Sequence, residues 1–342
     1  MFESKNLKNY LFPLGIVIAA SLFSGKIKNY FSKEDESDYE IIRKYLLNDS
    51  PLYGENRPKL WIHSKYEVNS RRWTSFHSRN NEEINQPYIV ECVQSIINHC
   101  GNDFNICLID DESFEKLIPG WNINMKTINR HHQEIYRQLG IMKLIYNYGG
   151  LTLPNSFLCL HNLQPMYTQL ITNKKPFVFQ NKNRALDLTY MKNPPIFVPD
   201  ISCFGSLKLD KNLLEFINNI ESSIEKGHIS DESKFKGTNA LWLLDNSDKI
   251  DTISGDFIGL TDNKNKCIPL EELLSETDFN LHGDAYGILI PREEILKRTK
   301  YNWFSVSNID EIINSNLTLG KYFSLSKNSS SKIDKLPTIM SI

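Results

Sequence analysis

The apolar positions of this chain fall into short runs that alternate between strand and helix spacing. Residues 59–63, Lys-Leu-Trp-Ile-His, read as a first strand. Ile89, Cys92, Val93, Ile96 and Ile97 then recur on one helical face, with Pro87 at a first-turn position and Gly101 at the end. Residues 104–109 form a second buried strand that runs into Asp110 and Asp111. A helix over 133–148 follows, with Ile135, Leu139, Met142, Ile145 and Tyr148 as its apolar stripe and Gly149 as its C-cap. A short apolar strand comes directly after it. Further along, 176–180 and 196–198 read as strands, 209–225 as an amphipathic helix, and 285–291 as a late strand feeding a helix from Arg292. Such alternation predicts an α/β fold: a mostly parallel sheet with helices on both faces. Ligands of such sheets sit beyond the carboxyl ends of the strands. That rule puts Asp110, Asp111, Pro154, Asn155 and Ser156 on the functional edge.

Ahead of this body, residues 10–25 are apolar and bracketed by Lys5 and Lys8 on one side and Lys26 and Lys28 on the other. At 1.5 Å rise per residue the run spans roughly 24 Å, short of the ~30 Å hydrocarbon core. A signal-anchor, a cleaved signal peptide and a buried helix are the three readings. The lysine brackets favour an uncleaved single-pass anchor whose orientation stays open. The expected division is a membrane anchor over 1–30, a juxtamembrane spacer and helix over 31–56, one catalytic-type domain over 57–325, and a Ser- and Lys-rich flexible tail over 326–342. Sequons at Asn48, Asn316 and Asn328 matter only if the body lies in a secretory lumen.

Of the 342 residues, 40% are hydrophobic and 11% aromatic, enough to build one large core. A net charge of −2 argues against a nucleic-acid binder. The six cysteines form no C-x-x-C pair, so a zinc site is not expected; Cys92, Cys107, Cys159 and Cys203 lie in apolar runs and read as buried small hydrophobes. His99-Cys100 and His131-His132 lack any metal-ligand spacing.

The segment Tyr146-Asn147-Tyr148-Gly149-Gly150-Leu151-Thr152-Leu153-Pro154-Asn155-Ser156, with the blocks at 58–63, 88–111, 137–150 and 197–206, resembles the GT-A-fold glycosyltransferases of the DxD sugar-binding class. Initiating mannosyltransferases and capsular-polysaccharide synthesis enzymes belong to that class, and the resemblance covers roughly residues 58–205. It implies a nucleotide-sugar donor and a nucleotide pocket lined by the first strand. Four functional positions of the family depart here. Its nucleotide-contacting Asp falls on Gln138, its phosphate-contacting Arg on Ile141, and the two carboxylates of its metal-binding DxD on Pro154 and Ser156. The resemblance therefore implies a nucleotide-sugar-binding set of Trp61, His63, Arg137, Gln138, Asn155 and Ser156 without a metal. Mn²⁺ or Mg²⁺ is expected only if Asp110 and Asp111 replace the lost carboxylates.

Each candidate also has a plainer role. Trp61 suits the core and His63 a strand end; the Asp110–Asp111 pair suits a cap on the next helix; Arg137 suits a helix surface. Asn155 and Ser156 suit a turn after Pro154. Arg71, Arg72 and Arg79, interleaved with Trp73, Phe76 and His77, suit either a phosphate grip or a solvated loop. His282-Gly283-Asp284 precedes the late strand and adds two further catalytic candidates, His282 and Asp284.

The blocks at 60–63, 85–88, 108–114, 154–159 and 286–291 also make the chain similar to uncharacterised proteins of large DNA viruses of eukaryotes. Two functions are weighed. The first is a membrane-anchored pseudo-glycosyltransferase that serves as a binding or structural component, with protein partners in a virion or host endomembrane assembly. The second is an active, metal-independent glycosyltransferase using a nucleotide-sugar donor. A different small-ligand module on the same fold is a third. Charge at the functional edge separates them. Cations gathered near Ser156, from Arg71, Arg79, Arg137 or His282, favour the enzyme. An apolar edge plugged by Pro154 and Phe157 favours the degenerate form.

Overall fold

A computed structural model describes residues 57–64, 86–189, 192–227 and 231–328. The apolar segment at 10–25, the spacer helix and the loop with Arg71, Arg72, Trp73, Phe76, His77 and Arg79 lie outside the described residues.

The first half builds β1 (Lys59–His63), α1 (Tyr88–Cys100), β2 (Asn105–Ile109), α2 (Asp111–Leu117), α3 (Arg130–Tyr148), β3 (Gly150–Thr152) and β4 (Phe157–Cys159). The second half adds α4 (Gln164–Ile171), β5 (Phe177–Lys182), α5 (Leu186–Thr189), β6 (Phe197–Ser206), α6 (Lys211–Glu225), α7 (Glu232–Asp245) and β7 (Asp251–Ile253). Short helices follow: α8 (Leu270–Leu273), then β8 (Gly287–Leu289), α9 (Arg292–Lys297), α10 (Asn302–Val306), α11 (Ile309–Ile313) and α12 (Thr318–Asn328).

Six strands form the main sheet in the order β2-β1-β3-β6-β5-β7. β1 pairs in parallel with β2 and β3, and β5 in parallel with β7, while β6 runs against both of its neighbours. The sheet is therefore mostly parallel, as the strand–helix alternation predicts. Because β6 is reversed, its amino-terminal end meets the carboxyl ends of β1, β3 and β5 at one edge.

Side chains of β1 alternate between the two faces. Leu60 and Ile62 join the apolar cluster of α1, β4 and the C-terminal helices. Trp61 joins the opposite cluster with α3, α6 and α7 residues. Both faces are thus covered, which is why the strands read as near-continuous apolar runs.

The Tyr-x-Tyr-Gly-Gly turn has a geometric cause. Gly149 closes α3 at φ +71°, the left-handed conformation in which glycine is cheapest. Gly150 sits at φ +112°, and a Cβ there would lie 2.2 Å from the Lys59 carbonyl oxygen. One glycine ends the helix; the other lets β3 run flush against β1.

Three expectations change. The late strand shrinks to Gly287–Leu289 and leaves the main sheet, pairing antiparallel with β4. A Cβ on Gly287 would meet the Leu158 carbonyl oxygen at 2.3 Å, so that ribbon needs glycine. The helix expected from 209 starts at Lys211, because the Asp210 carboxylate caps it by accepting from the backbone of Asn212 and Leu213. At the C-terminus α12 runs to Asn328, past the boundary drawn at 325. Ser326 is buried there, its hydroxyl donating to the Cys159 carbonyl at 2.7 Å.

Candidate functional site

At the carboxyl edge of the main sheet lies a cavity of about 160 Å³. His63 from the end of β1, the turn from Thr152 to Ser156 after β3, and Asn181 to Arg184 around the end of β5 all line it. Asp200 to Ser202 of the reversed β6, Glu134 to Ile141 of α3, Lys236 of α7 and Ile288 to Glu294 complete the wall. The rule that ligands sit beyond strand ends thus finds a cavity where it points.

Beside the cavity is a three-part ionic network. Arg137 grips Asp111 with two donors, Nε to Oδ1 at 2.8 Å and Nη2 to Oδ2 at 2.7 Å. His63 Nε2 lies 3.0 Å from the same Oδ1 and stacks on Phe114 with ring centroids 5.5 Å apart. Burial by itself raises the Asp111 carboxyl, but hydrogen bonds from Arg137 and His63 hold it far below the usual carboxylate range. Burial likewise works against the Arg137 charge, and Asp111 outweighs it. Arg137 is therefore no surface arginine: its side chain is 9% exposed.

Asp110 does something else. Its Oδ1 accepts from the backbone of Glu112 and Ser113 at 3.0 Å each, and the Ser113 hydroxyl bonds back to the Asp110 backbone. This is a capping box for α2. The acidic pair divides into a cap, Asp110, and an ion-pair partner, Asp111. Among the described residues, no group of three or more His, Cys, Asp or Glu side chains is placed to hold a metal ion.

The turn after β3 divides in the same way. Ser156 is fully buried, donates through Oγ to the Ile290 carbonyl at 2.7 Å, and accepts at its own carbonyl from the Ile290 backbone at 3.1 Å. It welds two loops together. Asn155 is 2% exposed; its Oδ1 accepts from Arg292 Nη1 at 3.0 Å. Its Nδ2 is buried with no hydrogen-bond partner among the described residues. The Oε1 of Gln138 on α3 is in the same condition.

Of the ten sequence candidates, His63, Arg137, Gln138, Asn155 and Ser156 line the cavity, and Asp111 reaches it through Arg137. Trp61 does not. It is fully buried, its indole N–H bonds the Gly149 carbonyl at 2.9 Å, and its ring packs against Tyr148. His282 and Asp284 face each other at 3.7 Å and lie off the cavity wall. His99 bonds the Ser326 carbonyl at 3.1 Å.

Sequence reasoning misses five wall residues: Lys182, Arg184, Asp200, Lys236 and Arg292. Lys182 and Arg184 directly follow a run that reads as a strand, so the strand-end rule would have selected them. Arg292 follows the late strand in the same manner. Lys236 pairs with Glu232 at 2.6 Å and Glu293 at 3.8 Å. Burial opposes its charge, and Asp200, Glu232 and Glu293 together push its pKa above the ordinary lysine value.

The other wall carboxylates are likewise tied. Glu134 lies 3.5 Å from Arg137, Glu294 lies 3.3 Å from Arg184 and 3.0 Å from Arg298, and Asp200 accepts from Asn181 Nδ2 at 2.9 Å and from the Ser202 backbone. The wall carries cations at Arg292, Lys182 and Arg184 alongside an apolar side formed by residues such as Leu153, Ile268, Leu270 and Ile288. Set against models of protein families, curated proteins and solved structures, the chain matches none of them.

Proposed function

We propose that this chain is a glycosyltransferase-like protein that binds a nucleotide sugar, or the glycosyl phosphate within it, in the cavity at the carboxyl edge, without a divalent metal and without turnover. The observation that carries this reading is Arg292 hydrogen-bonded to Asn155. Asn155 lies in the turn where the resembling enzymes hold a metal-bound diphosphate. A guanidinium there supplies the positive charge that a diphosphate needs, and a carboxylate pair is no longer required. The lack of turnover is supported by the wall carboxylates, each engaged by a cation or an amide, so that none is poised as a general base. The proposal keeps the N-terminal apolar segment as a membrane anchor and a virion or endomembrane assembly as the setting; both rest on the sequence.

An active, metal-independent glycosyltransferase is the second reading. The same cations favour it, since Arg292, Lys182 and Arg184 would stabilise a leaving diphosphate. Calorimetric titration of the full chain with UDP- and GDP-sugars, with and without Mn²⁺, tests the proposal. Binding is expected to be equal with and without the metal and to weaken about tenfold in Arg292→Ala, the worth of ~1.4 kcal/mol. Binding that needs Mn²⁺, or no binding to any sugar nucleotide, overturns it. Release of free nucleotide on prolonged incubation would replace the binding reading with the enzyme.

A further inference from the structure

The cavity carries polar groups whose needs specify a ligand. Lys182 is partly buried on its wall, and its ammonium makes no ion pair among the described residues. Arg184 next to it bonds Glu294 through Nη2, while its Nε is buried with no acceptor among the described residues. These are seats for an anion. Two further groups are more than nine-tenths buried: Asn155 Nδ2, a donor, and Gln138 Oε1, an acceptor. A buried polar group left unmade costs about 1–3 kcal/mol, so a ligand that completes it recovers that energy. The phosphate of a glycosyl phosphate, as its dianion, only accepts hydrogen bonds. It can satisfy Lys182, Arg184 and Asn155, but it cannot satisfy the Gln138 carbonyl. A hydroxyl both donates and accepts, and so completes the set.

Among the described residues, nothing comparable serves a nucleobase. Trp61, the ring expected to stack on one, is buried away from the cavity with its N–H spent on Gly149. The described ring on the wall, His63, is already stacked on Phe114 and bonded to Asp111. The volume, about 160 Å³, also falls below the ~300–1,000 Å³ of sites that enclose drug-sized ligands.

We propose that the cavity recognises a glycosyl phosphate, a phosphate on Lys182 and Arg184 with sugar hydroxyls on Gln138 and Asn155, and that the nucleoside contributes little to binding. This inference rests on the preceding proposal for the location of the ligand, and it goes further in saying which part of the ligand is read. A free hexose 1-phosphate and the sugar end of a nucleotide sugar share this chemistry.

Titration of the full chain with hexose 1-phosphates, the matching UDP- and GDP-sugars, UDP and GDP alone, free hexose, and inorganic phosphate separates them. Hexose 1-phosphate is expected to bind within about threefold of the nucleotide sugar, and UDP and GDP at least tenfold more weakly. Lys182→Ala, which breaks no ion pair, is expected to weaken every phosphate-bearing ligand about tenfold. Gln138→Met is expected to weaken hexose 1-phosphate about tenfold and leave inorganic phosphate unchanged. Nucleoside diphosphates binding as tightly as nucleotide sugars, with no binding of hexose 1-phosphate, overturns this inference and leaves the preceding proposal standing. No binding of any sugar-bearing ligand overturns both. Binding of hexose 1-phosphate alone supports the inference and identifies the free glycosyl phosphate as the source.

Discussion

Replacing Asp111 with Asn removes the negative charge between Arg137 and His63 and keeps the shape of the side chain. Arg137 stays where it is, 9% exposed, with one of its two strong acceptors turned into a neutral amide. Breaking a fully buried ion pair costs about 3–5 kcal/mol, and losing hydrogen bonds to a charged group about 1.5–3 kcal/mol. The Asp111 side chain is 27% exposed, so water screens part of the interaction, and about 3 kcal/mol is the expected loss. At about 2–4 °C per kcal/mol this lowers the melting temperature by roughly 6–12 °C. Urea denaturation of the full chain measures it. The sign of the pH dependence follows from the depressed carboxyl of Asp111. Its stabilisation is fully present above the unfolded value of ~3.9 and is lost as pH falls through the lower folded value. The gap between the native protein and Asp111→Asn should therefore close on acidification. Combining Asp111→Asn with Arg137→Met removes the orphaned cation as well, and should cost about 2 kcal/mol less than the sum of the single losses. A single variant within about 0.5 kcal/mol of the native protein, or strict additivity of the pair, refutes the reasoning.

Asp110→Ala should cost about 1 kcal/mol of stability through the lost cap of α2 and leave sugar-nucleotide titrations unchanged; impaired ligand binding at native stability would return Asp110 to the site. Lys236→Met strands Glu232, Glu293 and Asp200 without their cation and should lose about 3 kcal/mol at neutral pH. Because the Lys236 pKa is raised on folding, that contribution is complete below the unfolded value of ~10.4 and is lost as pH climbs beyond it, so thermal melts of the two proteins should converge at high pH. Gly150→Ala drives a methyl into the Lys59 carbonyl at an unfavourable φ and should cost more than about 2 kcal/mol; an unshifted urea midpoint would contradict it. Finally, a thiol reagent on the native chain should label Cys267, the cysteine that is not buried, and reach the other five only after unfolding.

The first half of the chain was legible because its elements are long or strongly patterned. The run at 59–63, the stripe from Ile89 to Ile97 and the Gly149 stop each map onto an element with the expected role. The late strand and the helix from Arg292 are both present, but an apolar run in sequence does not reveal its partner, and β8 pairs with β4 instead of the main sheet. The site was half legible. Asn155, Gln138, His63 and Arg137 were placed by motif position, and they reach one cavity. Trp61 enters the ligand set because its strand matches the one that lines the family's nucleotide pocket. It shares a face with His63, but two residues back from the strand end it lies inside the core, packed on Tyr148 with its N–H on the Gly149 carbonyl. Lys182 and Arg184 fall between the matched blocks at 137–150 and 197–206, and Lys236 and Arg292 lie beyond the last of them, so motif position selects none of the four. Their convergence depends on the reversal of β6 and on the β4–β8 ribbon, which no local pattern records.

That ribbon has a consequence for the order of assembly. Ser156 and the Ile290 carbonyl it bonds are 134 positions apart in the chain. At ~5–20 residues per second on a ribosome, the turn that carries Asn155 emerges roughly 7–27 s before the strand that fixes it. During that interval β4 offers an open strand edge and the turn lacks Arg292. The anion seat is thus a late product of synthesis. A chain that stalls before residue 287 would hold the sheet-forming half of the molecule with an incomplete cavity, and the unpaired edge would be open to holding factors or to a neighbouring nascent chain.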